Sequence, residues 1–365
     1  MRTWRGGLGC RQADNQVGST IMKDAQVLIV GNFLSNTIGS RGVCEDLAEN
    51  LRMSGWSVTT TSNKPGRISR LLDMLKTVLS RRNDYNIATI DTFSGMSFFW
   101  AEVVGLALSW LRKPFILILH GGNLPNFAQR WPRRVTRLLE AAAVVTAPSL
   151  YLLERMKPYR PDILLVQNPI DIKRYEFNLR SAPRPTLVWL RAFHDVYNAP
   201  MAIQAAARII PEYPEFHLFM GGGDKGDGSF QQTLELARAL GISSSIEFSG
   251  KIPKMDVPDW LQRGDIFINT TNVDNTPVSI LEALACGLCV VSTNVGGIPY
   301  LLSDEIDGLL VPPNDPEAMA SAIRRILAEP GLSVRLSENG RKLAERSDWK
   351  NVYPLWARIF ESVLS

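Results

Sequence analysis

Six short apolar runs, at residues 26–31, 57–61, 85–91, 115–119, 143–147 and 163–167, alternate with stretches of helical period. Six more, at 186–190, 216–220, 245–248, 265–269, 289–292 and 308–311, repeat the arrangement. Strands that alternate with helices are joined by crossovers, so each series predicts a parallel sheet with helices on both faces, a doubly wound α/β unit. Between the two series, residues 168–185 break the periodicity and carry Pro169, Pro183 and Pro185, the composition of a domain boundary. The chain is therefore expected to divide into a loose tail over residues 1–25, with Met22 as an alternative start, a first domain over 26–170, a linker over 171–185, a second domain over 186–348 and a last helix over 349–365. With 365 residues, 45% of them hydrophobic and 21% charged, it is long enough for two full cores.

Composition removes several functional classes. Residues 1–25 hold no continuous apolar run, so they do not read as a secretory leader. The most apolar stretch, 98–111, is too short to span a bilayer and contains Glu102, so it reads as a buried helix. Four cysteines in a chain this long do not form a disulfide framework. Cys286 and Cys289 have C-x-x-C spacing but fall at the end of a helix, whereas a redox pair needs the N-terminal end, where the dipole lowers a thiol pKa. A zinc site would need two further ligands, and the histidines are His120, His194 and His217. A reducing cytoplasm without a metal centre fits this inventory.

Charge is uneven. Residues 1–180 hold 24 Lys and Arg against 14 Asp and Glu, a balance of +10; the remainder holds 16 against 22, a balance of −6. Arg67, Arg70, Lys76, Arg81 and Arg82 form a basic face opposite Ile68, Leu71, Leu72, Leu75, Val78 and Leu79, and Arg130, Arg133, Arg134 and Arg137 form a second basic cluster. An anionic membrane surface is a candidate partner for these clusters and nucleic acid is not expected, while a sheet-packing helix with a solvated face is the preferred explanation of the first cluster.

The stretch from Asp274 to Gly287 is the chemical focus. Pro277 opens a run in which Ile280, Leu281, Leu284 and Ala285 recur at helical spacing. The free N–H groups at that helix start favour an anion such as phosphate. Asp274 would lie beside it, and Glu282, more than a turn into the helix, would reach a hydroxylated group further along, a spacing that suits a nucleotide sugar. A capped core helix with one exposed glutamate gives nearly the same pattern. Arg191 follows the first strand of the second series, and Gly221, Gly222, Gly223 and Asp224 follow its second; a guanidinium beside a helix N-terminus is a clamp for a diphosphate. In the first series, the loop over 31–40 lacks the G-x-G-x-x-G fingerprint, which disfavours a nicotinamide enzyme. Gly39 lies in that loop, where a turn and a phosphate-approach role read alike, and His120 follows a strand end, where ligands gather, although a structural histidine reads alike.

These residues resemble the retaining glycosyltransferases of family four. The run from Asp274 to Gly287 is similar to that family's Glu-x7-Glu signature, and Ser292 to Pro299 and Asp307 to Val311 are similar to its continuation, with Gly39, His120-Gly121 and Asn168-Pro169 as weaker anchors. The resemblance implies a GT-B fold, two doubly wound Rossmann-like domains facing across a cleft, with the donor held in the second domain and the acceptor in the first. It implies that Glu282 binds the donor ribose and Asp274 the transferred sugar, and that Asn275, Thr276 and Pro277 meet the diphosphate through their backbone. Arg191 would neutralise the leaving diphosphate, His120 would touch the donor sugar, Gly39 would admit a phosphate, and Lys251 and Ile252 would lie against the base. The donor implied is a UDP- or GDP-linked sugar, with no further cofactor and no metal. The acceptor implied is a glycan or a lipid-linked sugar, met in the cytoplasm or at the inner membrane face, in surface polysaccharide synthesis.

Two positions depart from the family pattern. Val196 stands where a lysine is usual, with Lys225 as a candidate replacement, and Asp274 stands where glutamate is usual. The first departure keeps open a catalytically silent GT-B subunit that binds a nucleotide sugar, and a GT-B sugar-nucleotide epimerase is a further alternative.

Overall fold

The structure, a computed structural model, describes residues 25–35 and 42–365. Gly39 and the tail before Ala25 lie outside the described residues. In the first half the chain runs through β1 (Gln26–Val30), α1 (Val43–Met53), β2 (Ser57–Thr61), α2 (Arg67–Ser80), β3 (Ile87–Thr92), α3 (Met96–Trp110), β4 (Phe115–Leu119), α4 (Leu124–Arg130), α5 (Pro132–Ala141), β5 (Val144–Ala147), α6 (Leu150–Met156) and β6 (Leu164–Leu165). The six strands make one sheet in the order β2-β1-β3-β4-β5-β6. β1 pairs in parallel with both β2 and β3, so the strand order reverses beside β1, the place where open α/β sheets leave a crevice.

The second half runs through β7 (Thr186–Leu190), α7 (Ala199–Ile209), β8 (His217–Gly221), α8 (Ser229–Ala239), β9 (Ile246–Gly250), α9 (Val257–Leu261), β10 (Ile266–Asn269), α10 (Val278–Ala285), β11 (Cys289–Thr293), α11 (Ile298–Leu301), β12 (Leu309–Val311), α12 (Pro316–Ala328) and α13 (Leu332–Arg346), and ends in α14 (Trp349–Leu364). Its sheet has the order β12-β11-β10-β7-β8-β9. That is the dinucleotide-fold order, with the switch point between β7 and β10. Alternation along the strands divides the core into two layers. Leu187, Trp189, Ile266, Ile268, Cys289 and Val291 face one layer, and Val188, Phe267 and Val290 face the other. Both α/β units of the sequence reading are therefore present as parallel sheets.

The described residues divide into two compact units, one of those up to residue 118 with 133–145 and 354–365, and a second of 119–132 and 146–353. Within the first, Trp56 packs on Phe360 with ring centroids 4.9 Å apart.

Two helices differ from expectation. The buried helix expected over 98–111 is α3, and it buries only one side: Phe98, Ala101, Val104, Gly105 and Leu108 face inward, while Met96, Phe99, Leu106 and Trp110 are exposed. A helix apolar on all sides carries more apolar surface than one sheet-facing stripe can cover. The apolar face expected on α2 is also rolled outward, with Ile68, Leu72 and Leu79 exposed and Arg70, Met74 and Val78 buried. Arg70 tolerates burial because its guanidinium donates to Lys64 O at 2.8 Å, Pro65 O at 2.9 Å and Asn32 Oδ1 at 3.0 Å, and lies over the Trp100 ring.

The segment entering the second sheet is held by charge. Arg180 Nε lies 3.0 Å from Asp265 Oδ1 with both side chains under 10% exposed, and the exposed Arg184 reaches Asp265 Oδ2 at 2.9 Å. Removing one partner of a buried pair strands the other. Asp265→Ala is expected to cost about 3–5 kcal/mol, whereas Arg184→Ala costs less than about 1 kcal/mol; urea unfolding of the two variants measures both.

Candidate functional site

The switch point of the second sheet brings together the loops after β7 and β10. Arg191 directly follows β7, and its backbone N–H donates to Gly221 O at 3.0 Å. The loop after β10 is pinned at its base. Trp189 Nε1 donates to Thr270 Oγ1 at 2.9 Å, Thr270 Oγ1 donates to Tyr197 O at 2.8 Å, and Asn272 N–H donates to Val196 O at 2.7 Å. From this base the chain enters α10. Pro277 is its N-cap, not its first helical residue, with an extended backbone at φ −67° and ψ 117°. The first-turn N–H groups of such a helix have no partner inside it, and seven of the eight residues of α10 are buried, so its start is fixed in place.

Both carboxylates of the run from Asp274 to Gly287 are paired with cations. Asp274 forms an ion pair with Arg191, whose guanidinium lies 4.2 Å from the centre of the Tyr197 ring. Burial pulls the Arg191 guanidinium below its ordinary pKa, and Tyr197 opposes that shift. Asp274 Oδ1 also accepts from Asn275 N–H at 2.8 Å. Glu282, 4% exposed, accepts from Tyr175 OH at 2.7 Å and from Lys254 Nζ at 2.5 Å, both on Oε1; Oε2 has no hydrogen bond among the described residues. Burial and the neighbouring Glu282 raise the Tyr175 hydroxyl well above the usual tyrosine value, so it stays a donor. Arg191 Nε, Thr276 Oγ1 and Ser279 Oγ are buried without hydrogen-bond partners. Unsatisfied buried donors are costly, and three around one helix start mark a place where an acceptor-rich ligand fits.

The loop over 274–275 is cradled by glycines. A Cβ on Gly296, which has φ +55°, would fall 2.1 Å from Asp274 O, and one on Gly297 would fall 2.0 Å from Asn275 O. Gly297 N–H donates to Asp274 O at 3.1 Å. A Cβ on Gly122 would lie 3.0 Å from Asp274 O, so the turn that starts at His120 touches the same loop; His120 itself is buried immediately after β4. Ser149 Oγ, at the start of α6, donates to Asn275 Oδ1.

The structure thus gathers Arg191, Asp274, Asn275, Thr276 and Pro277 at one strand edge, with Glu282 one turn further on. Ile252 packs where a Cβ on Gly221 would be, 2.9 Å from Ile252 Cγ1, and Lys251 is exposed beside it. Gly39 lies outside the described residues. Val196 serves the site through its carbonyl, and Lys225, also exposed, is tied by its backbone N–H to Phe193 O at 3.1 Å. Cys286 and Cys289 are buried, burial pushes both thiols up to about 12, and their sulfurs turn to separate carbonyls, those of Pro258 and Ser333. Among the described residues no group of three or more His, Cys, Asp or Glu side chains is placed to hold a metal. Sequence reasoning missed Lys254, Tyr175 and Tyr197, which lie in connecting segments without a motif. The Gly296-Gly297 pair after a strand was a readable signal for close backbone approach.

Known proteins with this architecture agree on one class. The model of the family described as glycosyl transferases group 1 matches residues 171–343. D-inositol 3-phosphate glycosyltransferase 2 of Catenulispora acidiphila is 31% identical over 287 residues, which cover 69% of this chain and 67% of that protein. The chain belongs to the group 1 glycosyl transferases. D-inositol 3-phosphate glycosyltransferase of Saccharomonospora viridis is 26% identical over 229 residues, 58% of this chain and 53% of that protein. The chain spans about half of that relative and 37% of the Streptomyces bingchenggensis enzyme. In fold, it is similar to Anabaena HepE crystallised with UDP and glucose, at 17% identity, a TM-score of 0.74 and coverage of 93% of this chain and 100% of that one. It is similar also to sucrose-phosphate synthase of Thermosynechococcus elongatus, at 18% identity, a TM-score of 0.76 and coverage of 93% and 98%. The two sheets therefore form the Rossmann-like halves of a GT-B fold.

Gly297→Ala must displace the backbone of Asn275, while Gly122→Ala meets a neighbour at the edge of tolerance. The first is expected to cost about 1–3 kcal/mol and the second under about 1 kcal/mol, read as shifts in the urea midpoint at unchanged slope.

Proposed function

We propose that the chain is a retaining glycosyltransferase that moves a hexosyl group from a UDP- or GDP-linked donor to a glycan or lipid-linked acceptor. The observation that carries this reading is the Arg191–Asp274 pair at the N-terminus of α10, with Arg191 Nε, Thr276 Oγ1 and Ser279 Oγ buried and unpartnered around it. A nucleotide diphosphate supplies acceptors for those donors, and Oε2 of Glu282 is left for ribose hydroxyls. In this reading Asp274 holds the transferred sugar, His120 contacts it near the reacting carbon, Lys251 and Ile252 lie against the base, and Gly39 admits a phosphate.

The chemistry follows from where charge develops. As the anomeric carbon–oxygen bond breaks, negative charge grows on the diphosphate, and a guanidinium with oriented N–H groups is worth most there. The acceptor hydroxyl attacks on the face the diphosphate leaves. Its proton passes to the departing phosphate oxygen, and the configuration is retained. With the diphosphate charge met by Arg191 and α10, the reading is metal-independent. Its acceptor belongs to surface polysaccharide synthesis at the cytoplasmic face of a membrane. The inositol phosphate named for the Catenulispora and Saccharomonospora relatives is a competing acceptor.

Thermal denaturation in the presence of UDP, GDP, ADP and dTDP sugars tests the donor site. A ligand that binds the folded state at about 100 times its Kd adds about 2.7 kcal/mol of stability. One nucleotide is expected to give that gain, Glu282→Ala and Arg191→Ala to abolish it, and Lys254→Met to raise Kd about tenfold through the lost charged hydrogen bond. No gain with any nucleotide, or gain without turnover on any acceptor, sinks the enzyme reading; the second outcome identifies a silent sugar-nucleotide-binding subunit.

A further inference from the structure

On the first unit, α3 exposes an apolar stripe. Met96, Phe99, Val103, Leu106 and Trp110 recur at helical spacing. Leu106 is 73% and Trp110 75% exposed, Met96 and Phe99 are exposed, and Val103 is half-buried. The helix on one side, α2, packs against α3 through Arg70 over the Trp100 ring and exposes Ile68, at 78%, with Leu72 and Leu79. The helix on the other side, α5, packs against α3 through the Arg134–Glu102 ion pair and through Leu138, 3.2 Å from where a Gly105 Cβ would lie. Exposed apolar residues gathered on one face and rimmed by polar ones mark interaction surfaces.

The charges beside the stripe choose the partner. α2 carries the exposed Arg67 and Lys76 and is followed by the exposed Arg81 and Arg82, of which Arg81 is within 4.0 Å of Asp84. α5 carries the exposed Arg133 and Arg137. Acidic groups are sparse here: Glu102 is taken by Arg134, and Asp73 and Glu140 remain. An apolar centre with Trp and Phe, bordered on both sides by arginine and lysine, complements a bilayer surface, whose acyl boundary takes the stripe while its anionic headgroups take the borders. A second copy of the same face would set basic border against basic border.

We infer that the α2–α3–α5 face seats this chain on an anionic lipid bilayer, with Leu106 and Trp110 entering the headgroup–acyl boundary and Lys76, Arg133 and Arg137 meeting anionic headgroups. This surface shares no residue with the donor site, so its test is independent of nucleotide binding. It deepens the lipid-linked reading of the acceptor by placing the first unit's helices against the membrane.

The experiment is co-sedimentation of the full chain with vesicles of phosphatidylcholine alone and of phosphatidylcholine mixed with phosphatidylglycerol, alongside sedimentation velocity without lipid. The wild type is expected to bind only the anionic vesicles and to be monomeric without them. Each charge removed is expected to weaken partition about fivefold. Leu106→Ser combined with Trp110→Ser, both at exposed positions, is expected to abolish binding, and so is Arg133→Glu combined with Arg137→Glu. Unchanged thermal midpoints confirm that these variants fold. Absence of wild-type binding, binding that survives the apolar pair of substitutions, or binding that ignores lipid charge each overturns the inference. So does a lipid-independent dimer that Leu106→Ser with Trp110→Ser dissociates, which would assign the face to a second copy.

Discussion

The backbone of residues 274–275 lies where the side chains of residues 296 and 297 would be, and most of the candidate site depends on that close approach. Two strand-end loops can touch backbone to backbone only if one of them has no Cβ atoms at the contact. Gly296 and Gly297 provide this, and the hydrogen bond from Gly297 to Asp274 O locks the register. With its backbone immobilised, Asp274 projects toward Arg191 on the loop after β7, and the chain turns into α10 with its first N–H groups directed at one place. The site is therefore rigid through the sheet edge rather than through its own side chains, the arrangement that preorganised electrostatic binding requires.

Burial adds a second layer of control. α10 is enclosed between the sheet and α13, so Glu282 sits in a poorly solvated position. A carboxylate there needs compensating donors. Tyr175 and Lys254 supply them on one oxygen only, which fixes the carboxylate plane. Neither donor comes from the signature run. Glu282 is held in place by residues from the segment that enters the second sheet and from the loop after β9.

The sheets were legible because short apolar runs separated by helical stretches have few other solutions, and every strand of the second series is present to within a residue or two. The signature run was legible for a similar reason: Pro277 and the spacing of Ile280, Leu281 and Leu284 state where a helix starts. Its partners were not, since Lys254 and Tyr175 lie in aperiodic segments and meet Glu282 only once the chain has folded. The inward face of α2 was misread because apolar residues were assigned to the core. Arg70 displaced them by finding three backbone and side-chain acceptors and an aromatic face, information that periodicity does not carry. α3 was read as buried because hydropathy counts apolar residues without asking whether enough core exists to cover them.

The paired state of the two carboxylates has a kinetic consequence. With Asp274 already on Arg191 and Glu282 already on Lys254, the pocket presents little uncompensated charge to its surroundings, so it exerts only a weak long-range pull on an anion in solution. In the proposed donor reading, an anionic nucleotide gains its strongest contacts only on arrival, by exchanging places with an internal carboxylate. In that reading association is governed by the local exchange more than by diffusional steering, and it changes little with ionic strength.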